Sequence, residues 1–312
     1  MQKFHKILFV SHGVQDETKA LEHALQLTDD HEAQLSILVV CPSFPDELSE
    51  YRASYEDSLI DKINKAIKMA KSSLKLKNKK IPINIEVDCG STPDIRIIRH
   101  VLKYSHDLLI KGAETSESTK GFKALDMALL RKCPCALFLY RPFHHASDAI
   151  QIAVAIDPND EELAGQELAL RLLNISSLLA ENYAGRLKII SCWSFALENY
   201  LRDNVWINTS KEELEKLISE EKQAHKMSME SLVKRSNINN DYTIEQLKGK
   251  PEDLIPAAIT DKKIDILIMG TVARTGISGF IIGNTAENIL QKIDCSLLAL
   301  KPQGFVSPVK AH

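Results

Sequence analysis

Apolar positions along the chain alternate between two rhythms, and the alternation runs through twice. Short, largely apolar segments recur at Ile7–Val10, 35–40 (LSILVV), 83–88 (INIEVD), 108–112 (LLIKG) and 136–140 (ALFLY). They recur again at Ile150–Ile156, 187–191 (LKIIS), 242–247 (YTIEQL), 266–270 (ILIMG) and 296–301 (SLLALK). Such runs are strand-length, too short for buried helices. Between them the spacing turns helical: Leu21, Ala24 and Leu25; Leu59, Ile63, Ala66, Ile67 and Ala70; Leu168 and Leu172. Ser210-Lys-Glu-Glu213 reads as a capping box ahead of Leu214, Leu217 and Ile218. Buried strands alternating with helices predict parallel sheets covered on both faces. The pattern therefore predicts an α/β fold of two repeated doubly wound domains, each a five-stranded parallel sheet flanked by helices.

The repeat is legible residue by residue. Asp107-Leu-Leu-Ile-Lys-Gly112 answers Asp265-Ile-Leu-Ile-Met-Gly270, and Lys132-Cys-Pro-Cys135 with the strand after it answers Lys292-Ile-Asp-Cys295. Gly90-Ser-Thr-Pro-Asp94 answers Gly249-Lys-Pro-Glu-Asp253, and Lys6–His12 answers Gln151–Asp157. The order is the same in both halves, so residues 1–143 form one expected domain and 149–304 the other, joined across HHASDAI. Apolar fifth strands in both halves suggest an edge-to-edge pairing of the two domains within one chain. A homodimer of the whole chain is a further expectation.

Composition narrows the partners. A net charge of −3 with 26% charged residues provides no basic surplus for nucleic acid or an acidic membrane. The N-terminal apolar run, Ile7–Val10, is too short for a signal segment, and no run is long enough to span a bilayer, so a cytoplasmic location is expected. In that setting the six cysteines are expected to be reduced, buried thiols. Cys133-Pro-Cys135 lacks the spacing of a redox or zinc motif, and His144-His145 reads as a solvated linker pair.

In open α/β sheets ligands settle beyond the carboxyl ends of the strands. There the second half places Asp157, Cys192, Gly249 and a loop with Gly270, Gly276, Gly279 and Gly283. Glycines let backbone N–H groups converge on an anion, and Asn284 and Thr285 stand where a helix over 286–293 would begin. Arg274 adds a cation. By spacing alone the loop suits either a phosphate or a plain long turn.

The whole pattern resembles the universal stress protein family, in particular its tandem, E-type members. That resemblance implies an adenine-nucleotide alpha-hydrolase-like fold and a role in stress response. ATP-binding members carry Gly-x2-Gly-x9-Gly-(Ser/Thr) after the fourth strand and an Asp closing the first. Here Gly270, Ala273, Gly283 and Asn284 hold the four loop positions, so Ala and Asn depart from the pattern, while Asp157 matches the Asp. By position, Met269 and Cys192 would flank the base or ribose. In the first half only Gly112 matches: Thr115 and Leu125-Asp126 replace the rest, and His12 replaces the Asp. The resemblance thus implies ATP or a related nucleotide, with Mg²⁺ accompanying it, in the second domain and none in the first. The alternative is a regulatory or scaffold protein holding an apolar ligand or a protein partner. No nucleophile–base pair stands out, so at most slow ATP hydrolysis is expected.

Overall fold

A computed structural model describes residues 3–13, 16–76, 81–114, 120–146, 149–203, 210–236, 238, 240–271 and 282–311. The first half runs β1 (Lys6–Ser11), α1 (Thr18–His31), β2 (Gln34–Cys41), a 3-10 turn (Asp46–Tyr51), α2 (Arg52–Ser73) and β3 (Ile83–Cys89). It continues through α3 (Pro93–Tyr104), β4 (Leu108–Gly112), α4 (Ala124–Lys132) and β5 (Ala136–Tyr140). The second half runs β6 (Gln151–Ala155), α5 (Leu163–Asn182), β7 (Arg186–Trp193), α6 (Glu198–Asp203), α7 (Lys211–Ser236) and β8 (Tyr242–Lys248). It ends with α8 (Pro251–Asp261), β9 (Ile266–Gly270), α9 (Asn284–Leu290) and β10 (Ser296–Leu300).

The strands form one ten-stranded sheet in the order β3-β2-β1-β4-β5-β10-β9-β6-β7-β8. Neighbours within each half are parallel, and the halves join through an antiparallel pairing of β5 with β10, Phe138 opposite Leu298. Strand periodicity of two divides the core. Ile7, Phe9, Ile152 and Val154 face α1 and α5, while Leu8, Val10, Ala153 and Leu267 face the side of α3, α4, α8 and α9. Each apolar layer runs unbroken across both halves, because the joined sheet offers each layer one continuous floor.

The repeated Asp107 and Asp265 perform the same task. Each stands just before its fourth strand and accepts backbone N–H groups at the start of the neighbouring first strand: His5 and Lys6 at 2.7 and 3.0 Å, Gln151 at 2.8 Å. Asp265 also accepts the His144 N–H at 2.6 Å and holds His145 Nδ1 at 2.8 Å. The linker histidines are therefore tied down by a buried carboxylate rather than freely solvated.

The expectation of uniformly reduced thiols is corrected at one place. In-register pairing of β2 with β3 sets Cys41 opposite Cys89, with Cα atoms 4.4 Å apart, and the two are disulfide-bonded. Their 48-residue separation conceals the pair in the sequence. Among the described residues no helix is long and apolar enough to cross a membrane.

Candidate functional site: two unequal crevices

In each half the first and fourth strands lie side by side, yet the helices after them leave to opposite faces of the sheet. That reversal opens a crevice at the strands' carboxyl ends, between β1 and β4 and between β6 and β9.

The first crevice is a cavity of about 480 Å³ whose wall includes His12, Glu17, Gly112, Glu114 and Tyr140. A Cβ added at Gly112 would meet nothing within 4 Å, so this glycine faces open space. Behind the wall, carboxylates bond to a lysine and to backbone N–H groups. Asp126, in the first turn of α4, has no exposed surface and pairs with the equally buried Lys111 ammonium of β4 at 2.5 Å. Its other oxygen accepts the Glu114 N–H at 2.9 Å, and the Glu114 carboxylate accepts the Leu125 N–H of α4 at 3.0 Å. The N–H groups of Glu114 and Leu125 are thus satisfied from within. Burial, and then Lys111, hold the His12 imidazole below its ordinary pKa, so it is neutral at pH 7. Glu17 accepts bonds from the Ser11 hydroxyl and the His12 N–H, steadying the end of β1.

The second crevice is built differently. Asp157 lies exposed just past β6, and its Oδ1 accepts the Asn159 N–H at 3.0 Å, folding the loop into an Asx turn. Pairing of Ala155 with Met269 brings the ends of β6 and β9 together, so Asp157 and Gly270 close adjacent strands. Gly270 has a packing reason to be glycine: a Cβ there would come within 2.9 Å of Leu168 Cδ2 on α5. Met269 is buried in the apolar layer on the side of α8 and α9. Cys192 is half-buried, its thiol pushed up to about 11 by burial, then Glu252 and Asp157.

Gly283 donates to the Thr271 carbonyl at 3.2 Å and is itself the residue preceding α9. Helix α9 begins at Asn284 and ends at Leu290, so it starts and stops earlier than the predicted 286–293, and Asn284 is its first helical residue rather than its cap. Asn284 and Thr285 are exposed at that start. Ala273, Arg274, Gly276 and Gly279 lie outside the described residues, as does Thr115 of the first half. Among the described residues Thr271, next to Gly270, buries a hydroxyl without a hydrogen-bond partner.

Sequence reasoning missed the Lys111–Asp126 pair. Its signal was a lysine inside an apolar strand, where the second half has Met269. It also missed Gly121, whose φ of +75° and N–H bond to the Ile293 carbonyl at 2.9 Å fasten the first half's loop to the second half.

This architecture defines two copies of a doubly wound α/β domain, each with a crevice at its strand ends, on one shared sheet. The sequence pattern of the universal stress protein family matches residues 3–141 and again 151–301, and the chain belongs to that family as a tandem member. It is 27% identical to the universal stress protein E homolog of Haemophilus influenzae, over 96% of this chain and 98% of that protein. It is 26% identical to universal stress protein E of Photorhabdus laumondii, over 100% and 99%. A solved structure of a functionally unknown protein from Pseudomonas aeruginosa PAO1 superposes with a TM-score of 0.70 at 20% identity, covering 96% of this chain and 93% of that one, which bears on the fold.

Proposed function

We propose that the protein acts in stress response by binding ATP or a related adenine nucleotide in its second domain, while the first domain has exchanged that ability for an internal ion pair. The observation that carries this reading is the contrast at aligned positions. Lys111 and Asp126 fill the first domain's cradle, whereas Met269 and Asn284 leave no charge there, and Asp157 stands exposed beside Gly270. A buried carboxylate near the phosphate position repels a polyanion, an asparagine at the same place does not, and the Glu287 carboxylate, also in the first turn of α9, is paired with Arg131. Asp157 would contact the nucleoside, and Gly270, Ala273, Arg274, Gly283, Asn284 and Thr285 would surround the phosphates. Mg²⁺ entering with ATP would screen phosphate charge beside the acidic Asp157 loop.

The second reading is a regulatory protein without nucleotide, holding an apolar ligand or a partner. It draws on Leu168 packed over Gly270 and on Met269 being core. Isothermal titration of ATP with Mg²⁺ into the wild type and Gly283→Glu separates the two. One equivalent of heat, lost in a variant that keeps its helical circular dichroism, supports the first reading. No heat with the wild type overturns it.

A further inference from the structure

A cleft of about 340 Å³ lies on the opposite side of the seam between the domains. Cys135, His106 and Asp107 of the first half face Arg171 and Lys301 of the second across it. Cys133, fully buried at the end of α4, holds its Sγ 3.5 Å from that of Cys135, which is partly exposed at the cleft wall. Two free thiols at this distance need to close to about 2 Å to bond.

The surroundings favour one negative charge on this pair. Lys301 is buried, donates to the Leu130 carbonyl at 2.6 Å and sits over the Phe305 ring at 4.3 Å. Burial brings its ammonium down to about 8, while the two thiols pull in the opposite direction. Arg171 donates to the Lys301 carbonyl at 3.0 Å, adding a guanidinium to the cleft. Cys133 is lowered, first by the hydrogen bond from Cys135 and also by Lys301, and Cys135 is raised in return. His106 is held to about 4 by burial and is neutral, so it does not compete for that proton at pH 7. Asp107 acts against a charge on Cys135. The pair therefore gives up one proton more readily than a solitary buried thiol and holds the second firmly.

The repeat supplies its own control. Cys295 occupies the position of Cys135, but Ile293 stands where Cys133 would be, and burial pushes its thiol up to about 12. A thiol kept only for packing would need no partner.

We infer that Cys133 and Cys135 are a two-electron redox pair in the interdomain cleft, oxidised by a hydroperoxide to a disulfide. The charge of the pair rests mainly on Cys133, so the Cys135 proton first passes to Cys133 along the contact between the two sulfurs. The Cys135 sulfur at the cleft wall then attacks the terminal peroxide oxygen, the O–O bond breaks and alcohol or water leaves, giving a sulfenic acid. The Cys133 sulfur then displaces water from it, forming the S–S bond. In sum, two thiols and one hydroperoxide yield one disulfide, one alcohol (or water, from hydrogen peroxide) and one water. A dithiol reductant reverses it.

The test treats the full native chain with one equivalent of hydrogen peroxide, quenches with iodoacetamide at intervals, and maps the peptides by mass. The expected result is loss of two hydrogens from the peptide beginning at Cys133, restored by dithiothreitol. It should proceed roughly ten times faster or more than oxidation at Cys192, whose thiol sits near 11. In Cys133→Ser, whose hydroxyl is nearly isosteric, a dimedone-reactive sulfenic acid should accumulate on Cys135. Oxidation of the pair no faster than Cys192 or Cys295, or bonding of Cys135 to a different cysteine, overturns the inference.

Discussion

The two crevices share a fold, a position at the switch in strand order, and a glycine closing the fourth strand, yet they have opposite interiors. One contains a buried lysine–aspartate pair, two more carboxylates, Glu17 and Glu114, that accept backbone N–H groups, and a neutral histidine. The other presents an exposed carboxylate and, at the start of its helix, Asn284 in the place of Asp126. Their glycines also differ in purpose: Gly112 faces empty space, and Gly270 admits Leu168. A repeated fold thus preserves the crevice, while a few side chains set its charge.

Breaking the internal pair should have the largest effect. Asp126→Ala leaves the Lys111 ammonium buried without a counter-charge, so we expect a loss of about 3–5 kcal/mol in urea unfolding. Lys111→Met with Asp126→Asn gives the first crevice the residues of the second and should recover most of that loss, since a buried ion pair and well-packed uncharged groups are often similar in stability. With Glu114→Ala added, a second equivalent of ATP heat should appear if carboxylates alone close the first crevice. A triple variant that folds and adds no heat would show that His12 or the loop backbone also excludes the nucleotide.

These two crevices also show how much the sequence disclosed. The succession of strands and helices followed from the alternation of short apolar runs with helical spacing, because burial on both faces leaves that pattern in every parallel strand. Asp157 and Gly270 were legible because strand ends fix their place by backbone geometry. The Lys111–Asp126 pair was not, since two charged residues fifteen positions apart announce no contact until β4 and α4 fold together. Cys41 with Cys89 shows the same limit: only strand register makes them neighbours.

The domains also differ in what they bring to their contact, and pH tests this next. His23 of α1 is enclosed by the Tyr140, Phe143 and Tyr183 rings and holds the Tyr183 hydroxyl at 2.9 Å across the seam. Burial lowers its pKa from 6.5 to about 4. On acidification the unfolded chain takes up this proton first, so stability is full above about pH 6.5 and declines as pH falls towards 4, by about 3 kcal/mol from this group. His23→Phe should flatten that part of the urea-midpoint profile between pH 7 and 4. An unchanged slope would assign the acid sensitivity elsewhere. Smaller is the effect expected at Gly121, where a Cβ would stand 2.7 Å from the Gln291 carbonyl in a left-handed backbone. Gly121→Ala should cost about 1–3 kcal/mol, read as a lowered thermal midpoint.

The smallest contrast is between the long helices that follow the second strand of each half. In α7 the Ser210 hydroxyl accepts the Glu213 N–H at 3.1 Å while Glu213 accepts the Ser210 N–H at 3.0 Å, so two orphan donors are satisfied reciprocally. In α2 the preceding residue is Tyr51, with no side-chain cap, and the chain enters through a 3-10 turn instead. The second half therefore starts its helix with side chains where the first uses backbone. Ser210→Ala should lower stability by about 1 kcal/mol, and Glu213→Gln, which still reaches back, by less. Because α7 contributes Met229, Leu232 and Val233 to the core from its far end, the loss should appear as faster amide exchange in its first turn before it appears in the global unfolding midpoint. Equal exchange at both ends of α7 in Ser210→Ala would mean that packing alone sets where this helix begins.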